Sequence, residues 1–101
     1  MKPRFDGLSE FISRHARVKI LHLILDNDMT QQRLAAEIGV SQQAVSKWLN
    51  PKETHPKNCN LNRIIDLACE LEREKTSKIL QDELLTFAHL LSKKLQPQEK
   101  L

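Results

Sequence analysis

The sequence predicts an all-α fold, and three observations carry that prediction. Apolar residues recur every three or four positions along most of the chain, which is the spacing of a helix face. The alternation of apolar and polar residues that marks a strand is missing, and only 2 glycines occur in 101 residues. A chain of this length suits one small domain with one added helix.

The net charge does not decide whether the protein binds a polyanion, but the sequence pattern indicates where in the cell the protein is located. The formal net charge is +3, which is compatible with a polyanion without demanding one. The N-terminus, Met1 to Arg4, lacks the apolar run of a signal peptide, and no stretch is apolar enough for a membrane span. We therefore expect a cytoplasmic protein with no membrane partner.

Cysteine and histidine usage predicts neither a metal site nor an enzyme. Cys59 and Cys69 are too few for a disulfide framework, and we expect reduced thiols. A structural zinc site needs four ligands, usually in close pairs, and His55 with the two cysteines does not supply them. No nucleophile–base arrangement is visible either. We expect no cofactor, no metal and no catalysis.

The first predicted helix runs from Leu8 to Leu25. Asp6 or Ser9 is its predicted N-cap, and Asp26 to Asp28 are turn-forming residues after its end. Its apolar face consists of Leu8, Phe11, Ile12, Ala16, Ile20, Leu21 and Ile24. The basic residues expected to lie mostly outside that face are Arg14, Arg17, Lys19 and His22.

Two short helices are predicted next. Thr30 is placed to cap a helix from Gln31 to Ile38, and Gly39 suits the left-handed position that closes it. Ser41 is placed to cap a third helix, from Gln42 to about Asn50.

The remainder of the chain is predicted to be a polar loop, 51–60, and then more helix. Asn58 or Asn60 is the predicted cap of a fourth helix. Thr76-Ser77 either interrupts that helix or marks its continuation, and a last helix extends to about Leu95. We divide the chain into a domain at 1–75, a C-terminal helix at 76–95 and a flexible tail at 96–101.

The most informative stretch is 30–50, where two short helices meet across a tight turn. Ala35 is small, as a steep helix crossing requires, and Gly39 can adopt the positive φ that the turn needs. The predicted inward residues are Leu34, Ala35 and Ile38 of the first helix and Val45, Trp48 and Leu49 of the second. The residues left outward on the second helix are Gln42, Gln43, Ser46 and Lys47.

That outward face is polar and carries no acid. A glutamine amide has a donor and an acceptor that match the N6 and N7 edge of adenine in the major groove, and lysine can take a guanine edge or a phosphate. Gln42 and Gln43 lie in the first turn, the part of a recognition helix that enters the groove. The pattern indicates a protein that binds double-stranded DNA.

The stretch resembles the helix-turn-helix of the Cro and lambda-repressor type, the XRE family. The residues at that motif's characteristic positions are Ala35, Gly39, Val45 and Trp48. The run Ser41 to Gln43 is similar to the start of the recognition helix in lambdoid phage repressors, where paired glutamines contact bases. With the outward face, the resemblance implies a lambda-repressor-like fold and a DNA-binding site made of Gln31, Ser41, Gln42, Gln43, Ser46, Lys47, Asn50 and Lys52.

Within that site the resemblance implies a division of roles. Gln31 is expected to contact a phosphate and to brace Gln42, while Asn50 and Lys52 are expected to contact the DNA backbone. Pro51 stands where many relatives have glycine. The predicted first helix is also longer than usual, and the C-terminal helix is an addition, so the dimer geometry stays unassigned.

Simpler interpretations remain open at several residues. The helix pair could serve protein contact alone, and Lys47 could be a solvated charge. Trp48 is expected in the core rather than stacked on a base, because it lies on the apolar face of its helix. The basic loop residues Lys52, His55 and Lys57 fit phosphate contact but are also common in exposed loops.

The C-terminal helix carries a broad leucine face. Such a face packs either on the domain's own first helix or on a second copy, partly as a coiled coil. We predict a homodimer contact through Leu80, Leu84, Phe87 and Leu91.

The resulting hypothesis is a homodimeric, sequence-specific transcription regulator that binds a palindromic site. We expect a repressor, because so short a chain leaves no room for a sensor domain. The alternative is an antitoxin or adaptor whose apolar face holds a different protein.

Overall fold

Over the residues that the structure describes, the fold consists of four α-helices and one 3-10 helix. A computed structural model describes residues 8–50, 52 and 54–96. A 3-10 helix, Leu8–Phe11, is followed by α1 (Arg14–Leu25), α2 (Gln31–Ile38), α3 (Gln42–Trp48) and α4 (Asn58–Leu95). Over these described residues no strand occurs, and the predicted all-α class is confirmed.

The first helix begins later than its apolar pattern predicts. The prediction from Leu8 is wrong, because Ser13 caps α1 by accepting a hydrogen bond from the Ala16 N–H at 3.1 Å. Ser9, a predicted cap, lies instead in the 3-10 helix and is fully buried, while Asp6 lies outside the described residues. The change of helix type shifts the register, so Phe11 is exposed although it belongs to the predicted apolar face.

The core joins α1, α2, α3 and the first part of α4. Among its least exposed side chains are Ile20, Leu34, Val45 and Leu61, one from each of these helices. Because each helix contributes to one shared cluster, the short α2 and α3 are held by packing more than by their own length. Among the described helices, none is long and apolar enough to cross a membrane.

The long α4 contains a break that the sequence places only roughly. Glu72 has φ −149° and ψ 75°, so two helical segments join there rather than at Thr76-Ser77. The buried Thr76 hydroxyl donates to the Glu72 carbonyl at 2.7 Å. Thr76 therefore lies one turn after the break, and its hydroxyl satisfies the carbonyl group of Glu72.

Beyond the break, the second segment of α4 returns to the start of α1. The Ser13 N–H donates to Glu83 Oε1 at 2.8 Å, across 70 positions of sequence. Ile79 and Leu80 are half-buried and pack against the core. This segment is thus attached to the domain at its beginning.

Candidate nucleic-acid interface

The turn between α2 and α3 has the geometry that the sequence predicts. Thr30 caps α2 by accepting a hydrogen bond from the Arg33 N–H at 3.1 Å, and Gly39 closes the helix at φ 85°. The Gly39 N–H donates to the Ala35 carbonyl at 2.8 Å. Ala35 is buried, as a close helix crossing requires.

Arg63 of α4 reinforces this turn from outside the motif. Its Nη1 donates to the Ile38 carbonyl at 2.8 Å, so it satisfies one of the free carbonyl groups at the end of α2. A Cβ at Gly39 would lie 3.5 Å from the same Nη1. Sequence reasoning missed Arg63, because no local pattern links it to a carbonyl 25 positions away.

Helix α3 divides into a buried face and an exposed polar face. Ser41 caps it by accepting a hydrogen bond from the Ala44 N–H at 3.1 Å. Val45 and Trp48 are buried in the core, which agrees with the inward assignment and leaves the Trp48 ring unavailable for stacking on a base. The exposed side chains are Ser41, Gln42, Gln43, Ser46 and Lys47.

The chain after α3 turns at Asn50. Helix α3 ends at Trp48, not at the predicted Asn50. Asn50 Oδ1 accepts a hydrogen bond from the Lys52 N–H at 3.1 Å, which closes a tight turn after the helix. Asn50 and Lys52 are both exposed, and Gln31 is half-buried at the start of α2. Pro51, the departure from the family pattern, lies outside the described residues.

The loop ends earlier than the predicted boundary at residue 60. Helix α4 begins at Asn58, and its N-cap residue is Lys57, whose side chain makes no capping hydrogen bond. Asn58 is one of the two predicted caps, but its side-chain amide accepts a hydrogen bond from another helix instead of capping α4. Its Oδ1 accepts a hydrogen bond from Arg17 at 3.2 Å.

Arg17 of α1 is the buried centre of this loop, contrary to its predicted place away from the core. Only 6% of Arg17 is exposed. Its guanidinium donates to the carbonyls of Ile12, Pro56 and Ser9 at 2.9, 2.7 and 2.9 Å. One cation thus ties the 3-10 helix and the start of α1 to the loop that follows α3.

The His55 ring lies between Arg17 and the backbone of Pro56. Its Nδ1 is 3.1 Å from Arg17 Nη1 and 3.2 Å from the Pro56 carbonyl oxygen, so it accepts from the guanidinium in one tautomer and donates to the carbonyl in the other. Burial, and then the charge of Arg14, lower the pKa of the Arg17 guanidinium from its ordinary value. His55, which the sequence predicts only as a basic loop residue that fits phosphate contact, thus also contacts Arg17 and the backbone of Pro56.

The four residues predicted for dimerisation divide into two groups. Leu80 is half-buried against the chain's own core, which is the packing that the alternative interpretation expects. Leu84, Phe87 and Leu91 are exposed to 66%, 57% and 46%. The structure therefore brings the later three together on an open surface.

The comparison with known proteins identifies the motif. Residues 22–67 match the family described as Helix-turn-helix, a range that contains α2, α3, the turn between them and the beginning of α4. No significant match was found among curated proteins or among solved structures.

The chain contains, at residues 22–67, a helix-turn-helix domain of the Cro and C1 type, the XRE family. It is a DNA-binding transcription regulator of that type, and its nucleic-acid partner is double-stranded DNA.

Proposed function

We propose that this protein is a homodimeric transcriptional repressor that reads a palindromic DNA site with the exposed face of α3. The observation that carries the proposal is the division of α3 itself. Val45 and Trp48 are buried, and every exposed side chain from Ser41 to Lys47 is polar or basic. Such a face is suited to base edges and phosphates and offers no apolar surface for a protein partner.

Within that face, position decides the role of each side chain. Gln42 and Gln43 lie in the first turn of α3 and are assigned to base edges, with Ser46 one turn further along. Lys47 lies in the last turn and can reach a guanine or a phosphate. Gln31, Asn50 and Lys52 flank α3 on other elements, and they are assigned to phosphates.

Dimerisation supplies the symmetry that a palindromic site needs. Exposed Leu84, Phe87 and Leu91 offer an apolar contact that a second copy can cover. The same exposure also favours a second candidate, an antitoxin or adaptor whose C-terminal segment binds a different protein. Sedimentation of the purified chain separates the two, because a stable homodimer in the absence of any partner supports the repressor.

Selection of bound duplexes from a random library tests the proposed reader. The wild-type protein is expected to select a palindrome, and Gln42→Ala is expected to lose preference at one position of each half-site. A bidentate glutamine–adenine contact discriminates by about 1–3 kcal/mol, so the loss should be visible at that position alone. Binding of Gln42→Ala to random DNA should stay nearly unchanged.

Lys52→Ala is the matched control for this selection. Removal of its phosphate interaction should weaken binding to all duplexes alike and reduce the slope of the salt dependence by about one unit for each protomer, or about two units for the dimer. If Gln42→Ala keeps the wild-type site preference, α3 is not the reading helix.

A further inference from the structure

The end of α4 is a helix that the other described residues leave uncovered. Every residue from 84 to 96 is exposed, whereas Ile79 and Leu80 just before it pack on the core. The large apolar side chains of this uncovered helix are Leu84, Leu85, Phe87, Leu90, Leu91 and Leu95. A helix of about 12 residues is marginal in water by itself, so a partner that covers it would stabilise it.

The apolar and charged residues of this helix follow a clear order around its axis. At about 100° per residue, one arc of roughly 80° around the helix axis contains Leu84, Phe87, Leu91 and Leu95. We call this surface the leucine arc. Glu83 and Lys94 both flank one edge of this leucine arc. The opposite edge carries only uncharged residues, Gln81, Ala88 and Ser92.

We infer that the occupant of the leucine arc is the same arc of a second copy, packed antiparallel. When two identical helices pack antiparallel across a two-fold axis, the same edge of each helix meets, and when they pack parallel, opposite edges meet. Only the antiparallel arrangement places Glu83 beside Lys94 of the second copy. The symmetric dimer contains this ion pair twice.

The spacing of the two charges also fixes where the helices cross. Glu83 and Lys94 are eleven residues apart, about three turns, so they meet when the crossing point lies between Ala88 and His89. At that crossing Leu84 lies between Leu91 and Leu95 of the second copy, about two residues, or about 3 Å, along the axis from each. The leucine arc and the charged edge therefore agree on one register.

The domain offers a groove at the place where the second helix would arrive. A cavity of about 780 Å³ lies between the start of α1 and α4 and is lined by Phe11, Leu80, Leu84 and Phe87, among others. In the antiparallel register, Leu91 and Leu95 of the second copy reach this cavity. Glu83 also lines this cavity, and Glu83 Oε1 accepts the hydrogen bond from the Ser13 N–H.

Neighbouring lysines provide a matched test of the charged edge. Lys94 flanks the leucine arc, whereas Lys93 lies on the far side of the helix. Sedimentation equilibrium of the full chain should show that Lys94→Glu weakens the dimer about tenfold, because two ion pairs become two repulsions. Lys93→Glu changes charge equally and should alter dimer affinity less than about twofold. Equal effects of the two variants would overturn the assigned edge.

Cross-linking tests the orientation directly. In a background with Cys59→Ser and Cys69→Ala, a short bis-maleimide should join two chains of Ala88→Cys, which lie at the crossing point. It should not join two chains of Leu95→Cys, which the antiparallel register holds about 20 Å apart. A dimer in which Leu95→Cys is cross-linked as well as Ala88→Cys would overturn the antiparallel arrangement.

This inference rests on the proposed homodimer, and its failure can be distinguished from failure of that proposal. A wild-type chain that sediments as a monomer at all concentrations would overturn both. A wild-type dimer with parallel cross-links would overturn the orientation alone and leave the homodimer in place.

Discussion

At the scale of single residues, Arg17 shows how one side chain can position the loop that follows α3. Its hydrogen bonds run to three backbone carbonyls and the Asn58 amide oxygen, and its Nη1 lies beside the His55 ring. Hydrogen bonds from a buried cation are stronger than neutral ones, and their acceptors lose water when buried. The loop after α3 is thus held from below by α1, while Lys52 stays exposed above it.

Replacement of Arg17 tests this role. Arg17→Met keeps much of the side-chain volume and leaves several buried acceptors unsatisfied, so we expect a loss of about 3 kcal/mol in the free energy of unfolding. Arg14→Met removes an exposed arginine three positions earlier in α1 and should change stability by less than about 0.5 kcal/mol. Urea denaturation of both variants makes the comparison. Equal stabilities would show that Arg17 is dispensable to the loop.

At the scale of elements, the crossing of α2 and α3 positions the polar face. Ala35 of α2 is buried in the core, and Arg63 donates a hydrogen bond to the carbonyl of Ile38 just before the turn. Gly39 then reverses the chain in the left-handed conformation. Because both helices are short, their relative position depends on these few interactions.

The adjacent alanines of α2 allow a controlled test of the crossing. Ala35 is buried and Ala36 is exposed. Ala35→Leu should overpack the crossing and lower the free energy of unfolding by about 1–3 kcal/mol. Ala36→Leu adds the same atoms at a solvated position and should have little effect. Thermal unfolding of the pair measures the difference, and full stability of Ala35→Leu would contradict the helix pairing.

At the scale of the whole molecule, the modest net charge includes two exposed lysines on and beside the candidate reading helix. The net charge is only +3, yet Lys47 and Lys52 lie exposed on and just after the same short helix. The molecule extends 58 Å along its longest axis and 28 and 27 Å along the others. A dimer through the end of α4 would therefore carry two separated basic faces, one for each half-site.

The salt dependence of binding measures the contribution of these two lysines. If Lys47 and Lys52 of both protomers contact phosphates, about four contacts are made, and a plot of log K against log salt should have a slope of about −4. The combined variant Lys47→Ala with Lys52→Ala should flatten the plot, whereas Lys93→Ala, on the C-terminal helix, should not. A wild-type slope near zero would contradict docking of this face on the DNA backbone.

The sequence by itself determined the features whose causes are local. The caps at Thr30 and Ser41 and the turn at Gly39 each involve atoms within a few positions of one another. The period of about 3.6 residues then separates the buried Val45 and Trp48 from the exposed glutamines. These local rules are enough to predict α2 and α3, the helical class and the composition of the candidate DNA face.

Only the tertiary structure decided the features whose partners are distant in sequence. Arg17 is buried because carbonyl groups from the 3-10 helix and from the loop before α4 converge on it, and Arg63 reaches a carbonyl across 25 positions. The late start of α1 and the break at Glu72 likewise accompany packing between α1 and α4. A polar side chain is buried when suitable acceptors surround it in space, and the periodicity of its own helix carries no information about them.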